Sequence, residues 1–170
     1  MNLSFNDLTV NFSKYNSKTL LSDWHWLIGK NRIPILITAF GEPFVQETGS
    51  GEVFFLNVYE GLMTRVAVDL DDFKEQLNSD DFSEKYLPIQ AVGDLRLAGK
   101  MLSIGEVYSF KVPPILGGTY ELENIEVCDI QVHFSILGQI HHQVKDLPVG
   151  AEIGSVQLNL VKRPWWKFWN

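Results

Sequence analysis

The chain has 170 residues, 14 basic and 21 acidic, with a formal net charge of −7 and a hydrophobic fraction of 45%. That length fits one domain with small appendages, and that apolar content can bury a core, which excludes a wholly disordered chain. No apolar run approaches the ~20 residues of a membrane-spanning helix, the start lacks the basic region of a secretory signal, and a single cysteine, Cys128, excludes a disulfide framework or a cysteine metal cage.

Leu8, Val10 and Phe12 alternate as in a short strand. Leu20, Leu21, Trp24, Leu27 and Ile28 then fall on one face of a helix over 17–28, with Ser17 to cap it and Gly29 to stop it, which places Trp24 in the core. Residues 34–68 read as a meander. An apolar run over 34–40 is broken by Gly41-Glu42-Pro43, a strand follows over 44–47, and Thr48 to Gly51 make a turn. A strand over 52–59, a hairpin at Glu60-Gly61 and a strand over 62–68 complete it. The density of aromatic and β-branched residues predicts a sheet covered on one face.

Residues 69–78 predict a helix with Leu70, Phe73 and Leu77 inward and Asp69 or Asp71 as its cap. Residues 80–86 add a further turn, and 88–102 read as helical. A strand over 106–112 ends at Pro113-Pro114, and a loop covers 116–124. Ile130, His133, Phe134, Leu137, Ile140 and Val144 share one face of a helix over 129–146, although alternating β-branched residues over 125–134 also permit a strand there. Residues 156–161 alternate as a last strand.

Little in this order carries catalysis. No phosphate-binding loop, nucleophile elbow or zinc-protease motif is present, and Gly117-Gly118 reads as a tight turn. His133 and His141 stand eight residues apart, about 80° out of alignment on a helix, and neither pairs with a ligand at i+4. His133 is expected beside the buried face, with His141 and His142 partly exposed. Acids at 126 and 129 should raise the Cys128 thiol and blunt it as a nucleophile. No catalytic residue, metal ligand or cofactor is assigned.

The charge is unevenly spread. Residues 162–170 hold Lys162, Arg163 and Lys167 and no acid, so residues 1–161 carry 11 basic against 21 acidic residues, a net −10. Residues 42–84 alone hold 11 acids against Arg65 and Lys74. Such a surface repels phosphate backbones and suits a basic protein partner, though plain solubility also accounts for it. The last residues, with Trp165, Trp166 and Trp169 among cations, suit a fold-back onto the core, a partner contact or a membrane interface.

Several stretches together resemble a known family: residues 26–29 (WLIG), 38–44 (TAFGEPF), 51–56 (GEVFFL), 108–118 (YSFKVPPILGG), Glu123-Asn124, and 138–143 (GQIHHQ). They are similar to the C-terminal domain of Tdi-type immunity proteins of the type VI secretion system, formerly a domain of unknown function. The similarity runs over about 24–150 and is sharpest over 113–147. It implies an antidote that binds and blocks a cognate effector toxin, often a DNA-cutting one. The GAD-like domain of the founding members is not matched by the short stretch before residue 24.

The reading is therefore an α+β domain over 1–161, an antiparallel sheet of about five or six strands with two or more helices, followed by a tail over 162–170. The expected function is non-enzymatic, cytoplasmic immunity. Glu47, Glu52, Glu60, Asp71, Asp72, Glu75, Asp80 and Asp81 are candidate contacts to a basic effector surface, with Trp165, Trp166 and Trp169 as anchors; direct nucleic-acid binding is not expected. The alternatives are an interaction or peripheral membrane adaptor module, or a small enzyme using His133 or His141.

Overall fold

A computed structural model of the chain describes residues 3–148 and 150–159. The chain opens with a single helical turn, α1 (Phe5–Leu8), closed by Asp7 accepting from the Ser4 backbone and hydroxyl. Because α1 takes up Leu8, the expected strand over 8–12 reduces to one bridge, Thr9 to Thr38. The helix expected over 17–28 is also shorter. A 3-10 turn at Ser22–Trp24 leads into α2 (His25–Ile28), which stops at Gly29. Tertiary packing outweighs local propensity here, since the Trp24 indole is fully buried and donates to the Phe134 carbonyl at 3.0 Å.

The meander forms as read. β1 (Arg32–Ile37), β2 (Pro43–Glu47), β3 (Val53–Asn57) and β4 (Leu62–Ala67) pair antiparallel in chain order. The sheet is covered on both faces rather than one. Val45 and Leu56 face the main core around Trp24, whereas Phe44, Val53 and Phe55 face a second cluster with Phe73 and Phe82. This explains the dense apolar centre of β3: neighbouring residues point to opposite faces, and both faces are dry.

The second cover is the helix pair α3 (Leu70–Leu77) and α4 (Asp80–Tyr86). Asp69 caps α3, its carboxylate accepting from the amides of Asp71 and Asp72. The rings of Phe44, Phe55, Phe73, Phe82 and Tyr86 interlock beneath the pair, with centroids 4.6–6.1 Å apart. α5 (Ile89–Leu97) then returns the chain to α1, where Arg96 pairs with Asp7 at 2.7 Å.

β5 (Glu106–Phe110) and β6 (Ile125–Asp129) make a separate two-stranded sheet, so the six strands among the described residues fall into two sheets. α6 (Ile130–Val144) follows directly, capped by Asp129. Both readings of residues 125–134 are thus realised in succession. α6 buries Ile130, His133, Phe134, Leu137, Ile140 and His141. Within the predicted strand over 156–161, residues 156–159 adopt no sheet pairing, and the remainder lies outside the described residues.

Candidate functional site

The acids of residues 42–84 divide by what they touch. Glu47 pairs with Arg32 at 2.9 Å, and Glu52 pairs with Arg65. Asp71 pairs with Lys74 at 3.1 Å on α3, and Asp72 accepts from the Val68 amide. Asp71, Glu75, Asp80 and Asp81 stand exposed on α3 and α4, one layer above the aromatic cluster. The fold therefore places Asp71, Asp72, Glu75, Asp80 and Asp81 on one helical pair, whereas Glu47 and Glu52 flank the turn between β2 and β3. Trp165, Trp166 and Trp169 lie outside the described residues.

Glu60 has a different setting. It sits on the turn between β3 and β4, across a cleft of about 270 Å³ whose walls include Glu42, Phe55, Thr64, Lys85 and Tyr86. Glu42 is partly buried there, and burial, reinforced by the charge of Glu60, pushes its carboxyl up to about 8. At neutral pH the Glu42 side chain is chiefly a neutral acid. Sequence reasoning counted Glu42 among the acids without choosing it. Its signal was the Gly41-Glu42-Pro43 break between two apolar strands, which forces a carboxyl close to the core.

The histidines occupy the main core. Ser109 Oγ and His133 Nδ1 are 2.9 Å apart, and His133 Nε2 lies 3.3 Å from the Gly41 carbonyl. A carbonyl can only accept, so Nε2 carries the proton and the Ser109 hydroxyl donates to Nδ1. Burial pulls the imidazole down to about 4, which keeps it neutral. Ser109 is 7% exposed and His133 1%, and the imidazole's second partner is a carbonyl where a hydrolase would use a carboxylate. The pair seals the core.

His141 is buried as well, at 4% exposure, against the expectation that it would be partly exposed. The cause is the Trp24 ring on one side, with centroids 5.4 Å apart, and the turn at Gly61 on the other. These extend the core beyond the face that periodicity marks. His142 is exposed as expected and stacks on Trp26. Cys128 is half-buried, and burial first, then Asp129 and Glu126, pushes its thiol up to about 11. Among the described residues no group of His, Cys, Asp and Glu is placed to hold a metal ion, and no helix is long and apolar enough to cross a membrane.

Residues 67–141 match the model of a family described as T6SS immunity protein Tdi1, C-terminal. Over this stretch, which is less than half of the chain, the sequence is similar to that family. The matched stretch begins at the end of β4 and runs through α3, α4, α5, β5 and β6 into α6. It contains Asp71, Asp72, Glu75, Asp80 and Asp81, and it is narrower than the similarity read over 24–150. Among solved structures, the chain is similar to the crystal structure of Atu4351 from Agrobacterium tumefaciens, at 18% identity and a TM-score of 0.55. The likeness covers 74% of this chain and 65% of that one, and at such identity it speaks for the fold. No curated protein matches this chain.

Proposed function

We propose that this chain is an immunity protein that binds a cognate type VI effector and blocks it by covering its working surface. The observation that carries the reading is the coincidence of the Tdi1-type match with the α3–α4 pair, where five of the candidate acids are gathered on a rigid aromatic support. A net negative charge on a firm platform suits rapid capture of a basic protein, because complementary fields raise the encounter rate. An effector that cuts DNA has a basic surface for that substrate, and acids laid over it would exclude the phosphate backbone. The chain acts here without chemistry of its own, in the cytoplasm of the cell it protects.

The test is co-expression with the effector encoded beside it. Cells producing the effector alone should die, and cells producing both should survive, with the two proteins co-purifying. If the pair neither binds nor changes survival, this chain is not the antidote to that effector.

A further inference from the structure

The cleft of about 270 Å³ shared by Glu42 and Glu60 is built from braced parts. Glu42 stands in the turn between β1 and β2, where its amide donates to the buried Thr38 hydroxyl at 3.1 Å and its carbonyl accepts from the Thr38 amide at 3.0 Å. Glu60 stands in the turn between β3 and β4, where Asn57 Oδ1 accepts from the amides of Tyr59 and Glu60, each at 3.0 Å. The wall beside them is aromatic, with the Phe55 and Tyr86 rings packed at 4.8 Å between centroids. Tyr86 closes α4, so the cleft opens at the end of the helical pair that carries the exposed acids.

The two carboxyl groups are unpaired. Among the described residues neither the Glu42 nor the Glu60 side chain has a hydrogen-bond or ion-pair partner. Glu42 is nonetheless strongly desolvated, and a carboxyl kept from water without a partner is costly. Lys85 on the rim is exposed and lies over the Tyr86 ring, 5.0 Å from its centroid, instead of pairing with either acid. Unused acceptors and an aromatic wall thus face one small space. At about 270 Å³ it is smaller than the pockets of about 300–1,000 Å³ that enclose drug-sized ligands, and it suits a single side chain. The combination selects a cation. A planar guanidinium fits better than an ammonium, because its fork can reach two carboxylates while its face lies on a ring.

We propose that this cleft receives an arginine side chain projected by a protein partner, with Glu42 and Glu60 accepting from its guanidinium and Tyr86 flanking it. The inference rests on the immunity reading only in naming the effector as that partner, since a surface that binds phosphate backbones is rich in such cations. Entry of the cation has a signature in protons. Free Glu42 holds its proton up to about pH 8. A guanidinium beside it favours the charged form, so the proton passes to the buffer. The other groups around it are Glu60, Lys85 and Tyr86 across the cleft, Tyr59, and His133 against the Gly41 carbonyl. Burial holds Tyr59 well above its ordinary range and His133 down at about 4, so neither titrates near pH 7. Binding should therefore tighten about fivefold from pH 7 to pH 8 and level off above that.

The experiment titrates the full chain with acetyl-arginine amide and follows backbone amide NMR shifts, with acetyl-citrulline amide as the neutral isostere. One side chain of this size should bind with a Kd on the order of 1 mM at pH 8 and move the amides of Glu42, Glu60 and Tyr86. The citrulline probe should bind about tenfold more weakly or not at all. Glu42→Gln keeps the shape of the cleft; it should weaken arginine binding about tenfold at pH 8 and remove its pH dependence. Glu60→Gln should weaken binding and shift that dependence to lower pH. Lys85→Met, which lifts the positive charge from the rim, should strengthen binding about threefold. Equal binding of the two probes, shifts confined to other residues, or a Glu42→Gln chain that binds as the wild type does would overturn the proposal. An effector that co-purifies undiminished with the Glu42→Gln, Glu60→Gln chain would also overturn it and leave the immunity reading standing. Arginine binding as expected by a chain that neither binds nor restrains the effector would sink the immunity reading alone.

Discussion

Gly138 meets the backbone of Asp23 so closely that a Cβ at Gly138 would lie 2.7 Å from the Asp23 carbonyl oxygen. This contact sets α6 against the 3-10 turn that carries Trp24, and it fixes Asp23 where Ser135 reaches it. Alanine normally favours a helix over glycine by about 1 kcal/mol. Here Gly138→Ala should instead destabilise the protein by about 1–3 kcal/mol, because neither backbone can yield freely. Urea unfolding of the two proteins measures the difference, and an unchanged or higher midpoint would show that α6 can move away.

The buried His133 links stability to acid. Its folded form holds no proton until the pH falls to about 4, whereas the unfolded chain takes one near 6.5. Between those values the unfolded state binds more protons, so stability falls as pH drops from about 6.5 through 4, by up to about 3 kcal/mol. His133→Gln should be less stable at pH 7 and should lose less on acidification. Unfolding midpoints across that range compare the two slopes.

Glu42 acts in the opposite direction. The folded state keeps its proton up to about pH 8, and the unfolded chain releases it near 4.5. The unfolded state therefore binds fewer protons in that window, and the contribution is lost as pH rises through it. Glu42→Gln keeps the shape without the charge. It should match the wild type near pH 5 and exceed it in stability near pH 8.5; equal midpoints at both values would mean that Glu42 ionises freely in the fold.

Tyr59 is buried, and its hydroxyl donates to the Phe40 carbonyl at 2.6 Å. Tyr59→Phe leaves that carbonyl, beside the Gly41 turn, without its short partner. A loss of about 1–2 kcal/mol is expected in thermal or urea unfolding, with the β1–β2 connection exchanging amide hydrogens faster than in the wild type.

If α3 and α4 face the effector, reversing charge there should slow capture more than it weakens the final complex. Glu75→Lys with Asp81→Lys should reduce the association rate about tenfold at low salt, and the gap should close as salt is added. Stopped-flow mixing at several ionic strengths reads this directly.

The elements that sequence marked well are those with local punctuation. Asp69 before Leu70 and Asp129 before Ile130 each cap the helix that follows, and the glycines at 51 and 61 close the turns of the meander. What escaped is set by distant neighbours. Periodicity placed His141 off the buried face, but Trp24, more than a hundred residues earlier, covers it. The strand read from the alternation over 156–161 finds no sheet pairing over 156–159; the main chain of Gln157 and Asn159 is bonded instead to two glutamine side chains, which no strand pattern announces. The candidate acids were grouped in the sequence only by their density over 42–84, and their division between the α3–α4 pair and the sheet comes from the fold. The near-neutral state of Glu42 depends on burial, reinforced by Glu60, beside a cleft it shares with Phe55 and Tyr86, which only the fold assembles.

The aromatic cluster beneath α3 and α4 is distinct from the core around Trp24, with the four-stranded sheet between them. A change on the outer helices therefore meets Phe73, Phe82 and Tyr86 first, and the sheet stands between it and the packing around Trp24.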